Sequence, residues 1–242
     1  IVRGADHVTN TATQIQIMQA MGGTPPSFAH HSLLTGPQGE ALSKRLGTLS
    51  LRDLRDRGVE PAALLSMMAR LGSSQPIEVM SNLEEIAAHF DPSTFGAAPT
   101  KFDAEDLFPL TRQYVQGLPF DAVAAQIKTL GVPDDLALGF WQVARDNIMV
   151  LADLAGWWQL FSQGAEPFID TEDADFVAQA MTLLPAGKLD EHSWGQWTTA
   201  VKEATGRKGK GLFMPLRKAL TGQEHGPDMR HILPLLQIIR VR

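Results

Sequence analysis

The sequence contains no cysteine, and it has no apolar run near the roughly 18 residues that a membrane-spanning helix needs. The lack of cysteine excludes disulfide bonds, thiolate-ligated zinc and cysteine nucleophiles, and it fits a reducing compartment. No signal-peptide pattern opens the chain. We therefore expect a cytoplasmic protein without a membrane partner.

Motifs that would mark a self-contained active site are also missing. There is no Gly-x-Ser-x-Gly motif, no carboxylate pair of the hydrolase kind and no dinucleotide fingerprint. The Gly-rich basic stretch 205–211 lacks the residue order of a phosphate-binding P-loop. Seven histidines include the adjacent pair His30-His31. Because neighbouring strand residues point to opposite faces of a sheet, we expect no bound metal there.

Charge is unevenly distributed along the chain. The net charge is -6 over 242 residues, yet residues 201–242 contain nine Lys and Arg against three Asp and Glu. That segment therefore carries +6, and the preceding 200 residues carry -12. This asymmetry predicts an anionic partner at the C-terminal end of the chain.

The first fifty residues have the pattern of a strand, a helix and a second strand. Ile1-Val2 is typical of a buried strand, apolar residues recur at helical spacing from Ile15 to Met21, and residues 28–34 form the second predicted strand. A strand needs neighbours, and the chain begins without an initiator methionine. We interpret residues 1–50 as the end of an α/β domain and expect further residues upstream.

After the first fifty residues the pattern is helical throughout. Capping boxes formed by Ser50 with Asp53 and by Ser81 with Glu84 mark two helix starts. Apolar residues at spacings of three and four predict one long helix over 134–161. No repeat period is found, so the pattern predicts a mainly α protein built as an irregular helical bundle. The predicted helices cover 51–57, 61–71, 82–90, 103–116, 119–131, 134–161, 172–184, 193–205, 212–220 and 228–239.

Residues 39–47 form a Gly-flanked loop that concentrates a hydroxyl and two cations. Ser43 is followed directly by Lys44 and Arg45. Positive charge on a mobile loop suits the binding of a polyphosphate. A solvated surface loop with no ligand is the other interpretation.

A second basic cluster lies between residues 205 and 218. A loop that contacts RNA phosphates and a solvated basic loop are both compatible with it. Tryptophan can stack on unpaired bases. Trp158 lies on the apolar stripe and is expected in the core, whereas Trp194 and Trp197 stay candidates for stacking. The basic residues of the cluster are Arg207, Lys208, Lys210, Arg217 and Lys218.

Four stretches carry a resemblance that spans essentially the whole chain. Residues 1–11, IVRGADHVTNT, look like a segment VIRGEDHLSNT, and residues 28–34 look like a strand that precedes a signature loop. Leu42-Ser43-Lys44-Arg45 looks like the K-M-S-K-S signature in its K-L-S-K-R form. Residues 61–65 and 204–227 complete the set. In this order and spacing, the stretches resemble the C-terminal half of the glutamyl-tRNA synthetases, a family of class I aminoacyl-tRNA synthetases. Residues 61–65 and 204–227 look like the stem-contact and anticodon-binding regions of that family.

The resemblance implies roles for individual residues. Lys44 would stabilise ATP phosphates during adenylate formation, with Ser43 and Arg45 shaping the catalytic loop. Arg3 would bind the substrate glutamate, since a carboxylate pairs well with guanidinium. The basic cluster would contact a glutamate-accepting tRNA. Magnesium would enter with ATP as substrate, and no protein-bound metal is implied. Other residues near ATP would be Asp6, His7 and Leu34.

The resemblance also divides the chain into three parts. Residues 1–50 would be a small α/β remnant of the Rossmann-fold catalytic domain that carries the signature loop. Residues 51–99 would form a helical stem-contact domain, and residues 100–242 an α-helical anticodon-binding region with a subdivision near 163–170. We expect a monomer.

Three departures from the family pattern qualify this interpretation. The first Lys of the signature is Ala41, the His common after Lys-Arg is Leu46, and the H-I-G-H motif is missing from these residues. We therefore expect these residues alone to be inactive in adenylate formation. The alternative is a non-catalytic RNA-binding or protein-interaction helical module derived from a synthetase. A Met codon directly before Ile1 would favour that module, and an in-frame H-I-G-H region upstream would exclude it.

Overall fold

A computed structural model describes residues 1–40, 42 and 50–241. The contacts divide the chain into two compact units, Ile1–Tyr114 and Val115–Arg242. Both units are built mostly of helices, with a few short strands in the first, which confirms the predicted mainly α class. In the described part of the chain, no helix is long and apolar enough to cross a membrane.

The first unit opens with a strand, a helix and a strand, as the sequence predicts, but Ile1 and Val2 are exposed, so the prediction of a buried strand there is wrong. Strand β1 (Val2–Gly4) pairs in parallel with β2 (Ala29–His31), and helix α1 (Val8–Ala20) connects them. The Thr11 hydroxyl on α1 lies 3.0 Å from His30 Nε2 on β2. This polar contact ties the helix to the sheet.

The prediction of a single second strand over 28–34 is wrong. After β2 the chain forms a separate strand, β3 (Leu34–Thr35), which pairs in parallel with β4 (Thr100–Lys101). The sequence pattern predicts no strand at β4. A two-residue strand shows too little alternation to be recognised, and its partner is more than sixty residues away.

Three helices complete this part of the first unit: α2 (Leu51–Asp56), α3 (Pro61–Met68) and α4 (Leu83–His89). The capping box at the start of α2 is confirmed, because Ser50 Oγ accepts from Asp53 N and Asp53 Oδ2 accepts from Ser50 N, both at 3.1 Å. The core of this unit contains Leu54, Val59, Met67, Phe102 and Leu107.

The predicted capping box at Ser81 is displaced by one residue. Asn82 is the N-cap of α4, and its side chain accepts from Glu85 N at 2.8 Å. The Glu85 carboxylate accepts in turn from Ser81 N at 2.8 Å. Asparagine caps as well as serine does, so local sequence alone leaves the choice between the two open.

The second unit is a bundle of helices around one apolar core. Trp141, Trp197, Phe140 and Phe161 are among its largest fully buried side chains. Helix α5 (Leu107–Gly117) spans the boundary between the units in sequence. The remaining helices are α6 (Phe120–Thr129), α7 (Asp134–Ala144), α8 (Leu154–Gln163), α9 (Ala174–Thr182), α10 (Ser193–Thr205), α11 (Lys210–Thr221) and α12 (Met229–Ile232).

The prediction of one helix over 134–161 is wrong, because α7 and α8 are separated by a break. Ile148 and Val150 have extended backbone angles. The Asp153 carboxylate accepts from Met149 N at 2.8 Å and from Val150 N at 3.1 Å, so it satisfies amides that the break leaves without helical partners. The apolar spacing continues across the break and therefore conceals it.

The last predicted helix, 228–239, is also shorter in the structure. Helix α12 ends at Ile232 and passes into a 3₁₀ turn, Leu233–Leu235. Pro234 lies in that turn and has no N–H to continue an α-helical ladder.

Candidate functional site

The first group of candidate residues lies where β1 turns into α1. Arg3 donates from Nη1 to Gln14 Oε1 at 3.0 Å and from Nη2 to His7 Nδ1 at 2.8 Å. Asp6 Oδ2 lies 3.8 Å from His7 Nε2. The structure therefore brings Arg3, Asp6 and His7 together, as the resemblance implies, and it adds Gln14, which the sequence did not single out.

The geometry of this turn explains why the Arg3 guanidinium is available to a ligand. A Cβ at Gly4 would lie 2.5 Å from Asp6 Oδ1 and 3.1 Å from the Leu33 side chain, so the turn is closely packed. The side-chain partners of Arg3 are an amide and an imidazole, and among residues 1–40, 42 and 50–241 no carboxylate pairs with it. A partly buried guanidinium without a carboxylate suits a carboxylate ligand.

Leu34 lies on β3, close to the end of β1. The Leu33 side chain would contact a Cβ placed at Gly4 at 3.1 Å. Thr100 N on β4 donates to Leu33 O, and Phe102 N, directly after β4, donates to Thr35 O. Because backbone groups alternate in direction along a strand, the N–H and C=O of Leu34 point to the edge away from β4.

The predicted catalytic residues Ser43, Lys44 and Arg45 lie outside the described residues. Leu42, which precedes them, lines an apolar cavity of about 190 Å³ together with Leu54 and Phe102. Ser50, which follows them, caps α2.

Arg207 and Lys208 belong to the turn between α10 and α11. Gly206 ends α10 in a left-handed conformation at φ +70°. The Arg207 guanidinium forms an ion pair with Asp173 and lies 4.0 Å from the centre of the Phe176 ring. Lys208 and Lys210 are exposed, and no carboxylate in the described part of the chain pairs with either.

Lys218 has a different environment from the other lysines of this cluster. Its side chain is only 7% exposed, and Nζ donates to Asp170 Oδ2 at 2.6 Å. Glu224 Oε1 lies 3.5 Å from the same nitrogen, and the Phe168 ring centre lies 4.3 Å away. The hydrogen bond to Asp170 raises the pKa of Lys218, so the ammonium stays charged.

An open cavity of about 480 Å³ lies beside α11 and contains the fifth basic candidate, Arg217. Phe213 is one helical turn before Arg217 on the same face and is 45% exposed. Trp194 packs against Phe213 with the ring centres 6.2 Å apart. The lining residues are Trp194, Thr198, Phe213, Arg217, Asp228, Met229 and Arg230.

The polar groups of this cavity are held in place. Arg217 Nη2 donates to Pro227 O at 2.7 Å, and partial burial lowers the pKa of Arg217. Arg230 donates from Nε and Nη2 to Asp228 Oδ2, which holds the pKa of Asp228 below its usual range. An aromatic face next to fixed guanidinium donors can bind a planar polar ring.

Trp197 is not available for stacking. It is fully buried, and its Nε1 donates to Ala180 O at 2.8 Å. Trp194 is buried as well, but it borders the cavity. Sequence reasoning missed Phe213, Asp228, Met229 and Arg230. The available signal was the spacing of four between Phe213 and Arg217 on an amphipathic helix.

No group of three or more histidine, aspartate or glutamate side chains in the described residues is arranged to hold a metal ion. His30 and His31 have separate partners. His30 Nε2 is near the Thr11 hydroxyl, and His31 Nδ1 is 2.8 Å from Ser32 O.

Comparison with known proteins identifies two family matches. Residues 1–109 match the family described as "tRNA synthetases class I (E and Q), catalytic domain", and residues 137–241 match "Anticodon binding domain". The chain is 77% identical over 242 residues to a glutamate–tRNA ligase 1 of Cereibacter sphaeroides and 67% identical over 242 residues to that of Ruegeria pomeroyi. Each match covers 100% of this chain and 55% of the relative, so the chain spans about half the length of the curated relatives it matches.

The fold also has a counterpart among solved structures. A glutamate tRNA ligase of Elizabethkingia meningosepticum, solved in complex with its amino acid, matches with a TM-score of 0.81 at 24% identity, over 97% of this chain and 53% of that one. This likeness establishes the fold alone. Over its whole length the chain is therefore similar to part of the curated glutamate–tRNA ligases, with a match to a class I tRNA synthetase catalytic domain followed by a match to an anticodon-binding domain.

Proposed function

We propose that this chain is a tRNA-binding part of a glutamate–tRNA ligase. The whole protein would activate glutamate with ATP and transfer it to a glutamate-accepting tRNA. The names of the relatives and the matched families support this proposal. We further propose a monomer that works in the cytoplasm.

The cavity beside α11 carries the RNA-binding part of the proposal. Single-stranded RNA loops are recognised through bases stacked on aromatic rings and hydrogen-bonded to polar groups. Phe213 and Trp194 offer the aromatic surface, and Arg217 and Arg230 offer donors. We assign this cavity to an unpaired nucleotide of the anticodon loop, within the part of the chain that matches an anticodon-binding domain.

The exposed lysines in the turn before α11 and at its start are assigned to RNA phosphates. Lys208 and Lys210 lack carboxylate partners in the described residues, so a phosphate does not have to displace an existing ion pair. Lys210 and Arg217 are seven residues apart on α11, or about 10 Å along the helix axis. This distance allows one RNA strand to contact the lysines and the cavity together.

The N-terminal cluster is assigned to the amino acid and nucleotide. Arg3 would pair with the glutamate carboxylate, and Asp6, His7 and the backbone of Leu34 would border ATP. Lys44, with Ser43 and Arg45, would stabilise the phosphates. In this proposal residues 1–50 belong to the catalytic domain, residues 51–99 contact the tRNA stem and residues 100–242 read the anticodon.

The substitution Phe213→Ala tests the proposed base-binding cavity. Removal of a stacking ring costs about 1–3 kcal/mol, so we expect tRNA affinity to fall about 5- to 150-fold in a filter-binding assay. Leu138→Ala is the matched control, because Leu138 is 50% exposed on α7 and does not line the cavity. Equal affinities for both variants would argue against the assignment.

A further inference from the structure

Lys218 connects α11 to the segment that precedes α9. Its Nζ contacts Asp170 at 2.6 Å, and its own carbonyl accepts from Phe168 N at 3.2 Å. One residue of α11 thus holds this segment through both its side chain and its backbone.

The end of α11 fits closely against the same segment. Gly222 follows α11 at φ +67° and donates to Lys218 O at 2.8 Å. A Cβ at Gly222 would lie 3.0 Å from Glu166 O. The chain from Glu166 to Asp170 therefore lies directly against the C-terminal end of α11.

Lys218 and its neighbour Arg217 also hold the loop that leaves α11. Lys218 Nζ is 3.5 Å from Glu224 Oε1, and Arg217 Nη2 donates to Pro227 O at 2.7 Å. A Cβ at Gly226 would lie 3.3 Å from Arg217 Nη1. Two adjacent helix residues therefore fix the loop at two points.

The loop 222–227 leads directly into one wall of the cavity beside α11. Asp228, Met229 and Arg230, the next three residues, line that cavity. Any displacement of the loop would move this wall. It would also move the Pro227 carbonyl, which orients Arg217, away from the guanidinium.

We propose that Lys218 is a positioning residue for the cavity beside α11 and makes no contact with RNA phosphate. Its ammonium is enclosed by Asp170, Glu224 and the Phe168 ring, so a phosphate would have to displace an existing ion pair. By fixing the loop 222–227, it keeps Arg217 and the cavity wall in the geometry that discriminates between bases. This inference rests on the proposed tRNA-binding function.

The substitution Asp170→Asn separates the two roles of Lys218. A phosphate-contacting lysine would be freed by this change, and RNA affinity would stay the same or rise. A positioning lysine loses its anchor, and affinity falls. The Asp170 side chain is 41% exposed, so the isosteric change is expected to fold.

The experiment measures the affinity of the 242-residue chain for two RNA hairpins over a range of salt concentrations. One hairpin has the anticodon stem-loop of a glutamate-accepting tRNA, and the other has the same stem with exchanged loop bases. We expect Asp170→Asn and Lys218→Met each to weaken binding of the first hairpin about five- to tenfold, as for the loss of one typical hydrogen bond. The preference for the first hairpin over the second should fall. The slope of log K against log salt concentration, called the salt slope below, should keep its wild-type value.

Two further variants complete the test. The double variant Asp170→Asn with Lys218→Met should be no weaker than Lys218→Met alone, because both changes break one contact. Lys208→Met is the matched control, and it should reduce the salt slope by about 0.7–1 while discrimination is kept.

Three results would overturn the inference. In the first, Lys218→Met reduces the salt slope and Asp170→Asn leaves the affinity unchanged or higher, so Lys218 contacts phosphate. In the second, both variants lower thermal stability but keep wild-type discrimination, so the pair serves only the fold. In the third, the wild-type chain does not discriminate between the hairpins, so the proposed function itself fails and the inference with it.

Discussion

Arg207 and Lys208 are adjacent in the chain but have opposite electrostatic surroundings. Arg207 pairs with Asp173, whose side chain is 15% exposed, and stacks over Phe176. Lys208 is exposed, without a carboxylate partner in the described part of the chain. The positive charge of Arg207 therefore stabilises the fold, whereas the positive charge of Lys208 is available to a ligand.

We expect Arg207→Gln to lower the free energy of unfolding by about 1–3 kcal/mol, because Asp173 keeps a largely buried charge without its partner. Lys208→Gln should change it by less than about 0.5 kcal/mol, as is usual for exposed positions. Urea unfolding followed by circular dichroism measures both. Equal losses for the two variants would contradict the assigned surroundings.

Asp190 gives the structure a testable dependence on pH. Hydrogen bonds, first from the Ser193 hydroxyl and then from the His192 amide, hold the pKa of Asp190 below its usual range. Because the folded pKa is lowered, the contribution to stability is present above the unfolded pKa of about 3.9 and is lost as pH falls through the folded pKa.

Asp190→Asn should therefore destabilise the protein at neutral pH, and the difference from wild type should shrink as pH falls below about 4. The urea midpoint measured from pH 7 to pH 3 checks this. A difference that does not vary with pH would show that the carboxylate charge is unimportant here.

At these positions, sequence reasoning succeeded where the partners are local and failed where they are distant. Ser50 and Asp53 are three residues apart, and the capping box was predicted correctly. Asp170 and Lys218 are 48 residues apart, and no local pattern reveals that pair. For the same reason the sequence leaves Trp197 as a candidate for stacking, although it is buried and its partner, Ala180, lies on the preceding helix.

At the scale of elements, the break between α7 and α8 is the clearest example of hidden structure. The apolar stripe predicted the burial of Phe140, Trp158 and Phe161 correctly. Periodicity shows which side chains point to the core. A short extended stretch can interrupt the helix while the side chains on both sides of it still point to the core. The break depends on Asp153, which accepts from two backbone amides.

Asp153→Ala should lower the free energy of unfolding by about 1 kcal/mol, the usual cost of losing a helix cap. Glu203→Ala on α10 is the control, since Glu203 is exposed and has no partner in the described residues, and it should cost less than about 0.5 kcal/mol. Urea midpoints measure both variants. A loss no larger than that of the control would mean that Asp153 does not stabilise the break.

At the scale of the whole molecule, the sequence predicted the mainly α class and most of the helices. It could not predict the pairing of β3 with β4, because strand pairing over such a separation depends on tertiary packing. The charge asymmetry, by contrast, is visible in the sequence. The exposed lysines and the open cavity of the second unit lie within the +6 segment or at its border.

We propose that the second unit uses this basic segment and the cavity beside α11 to bind a tRNA anticodon. The two features have different signatures. Phosphate contacts give affinity that falls with salt, and base contacts give preference among sequences. Both signatures are needed, because a basic surface alone would bind any RNA.

The most direct test is a salt titration of binding between the wild-type chain and a glutamate-accepting tRNA, repeated with the same tRNA carrying a different anticodon. We predict that log K falls with log salt with a slope of about -2 to -4, as for a few phosphate contacts, and that the native anticodon binds at least about tenfold more tightly. Binding that is insensitive to salt, or equal for the two anticodons, would contradict the claim.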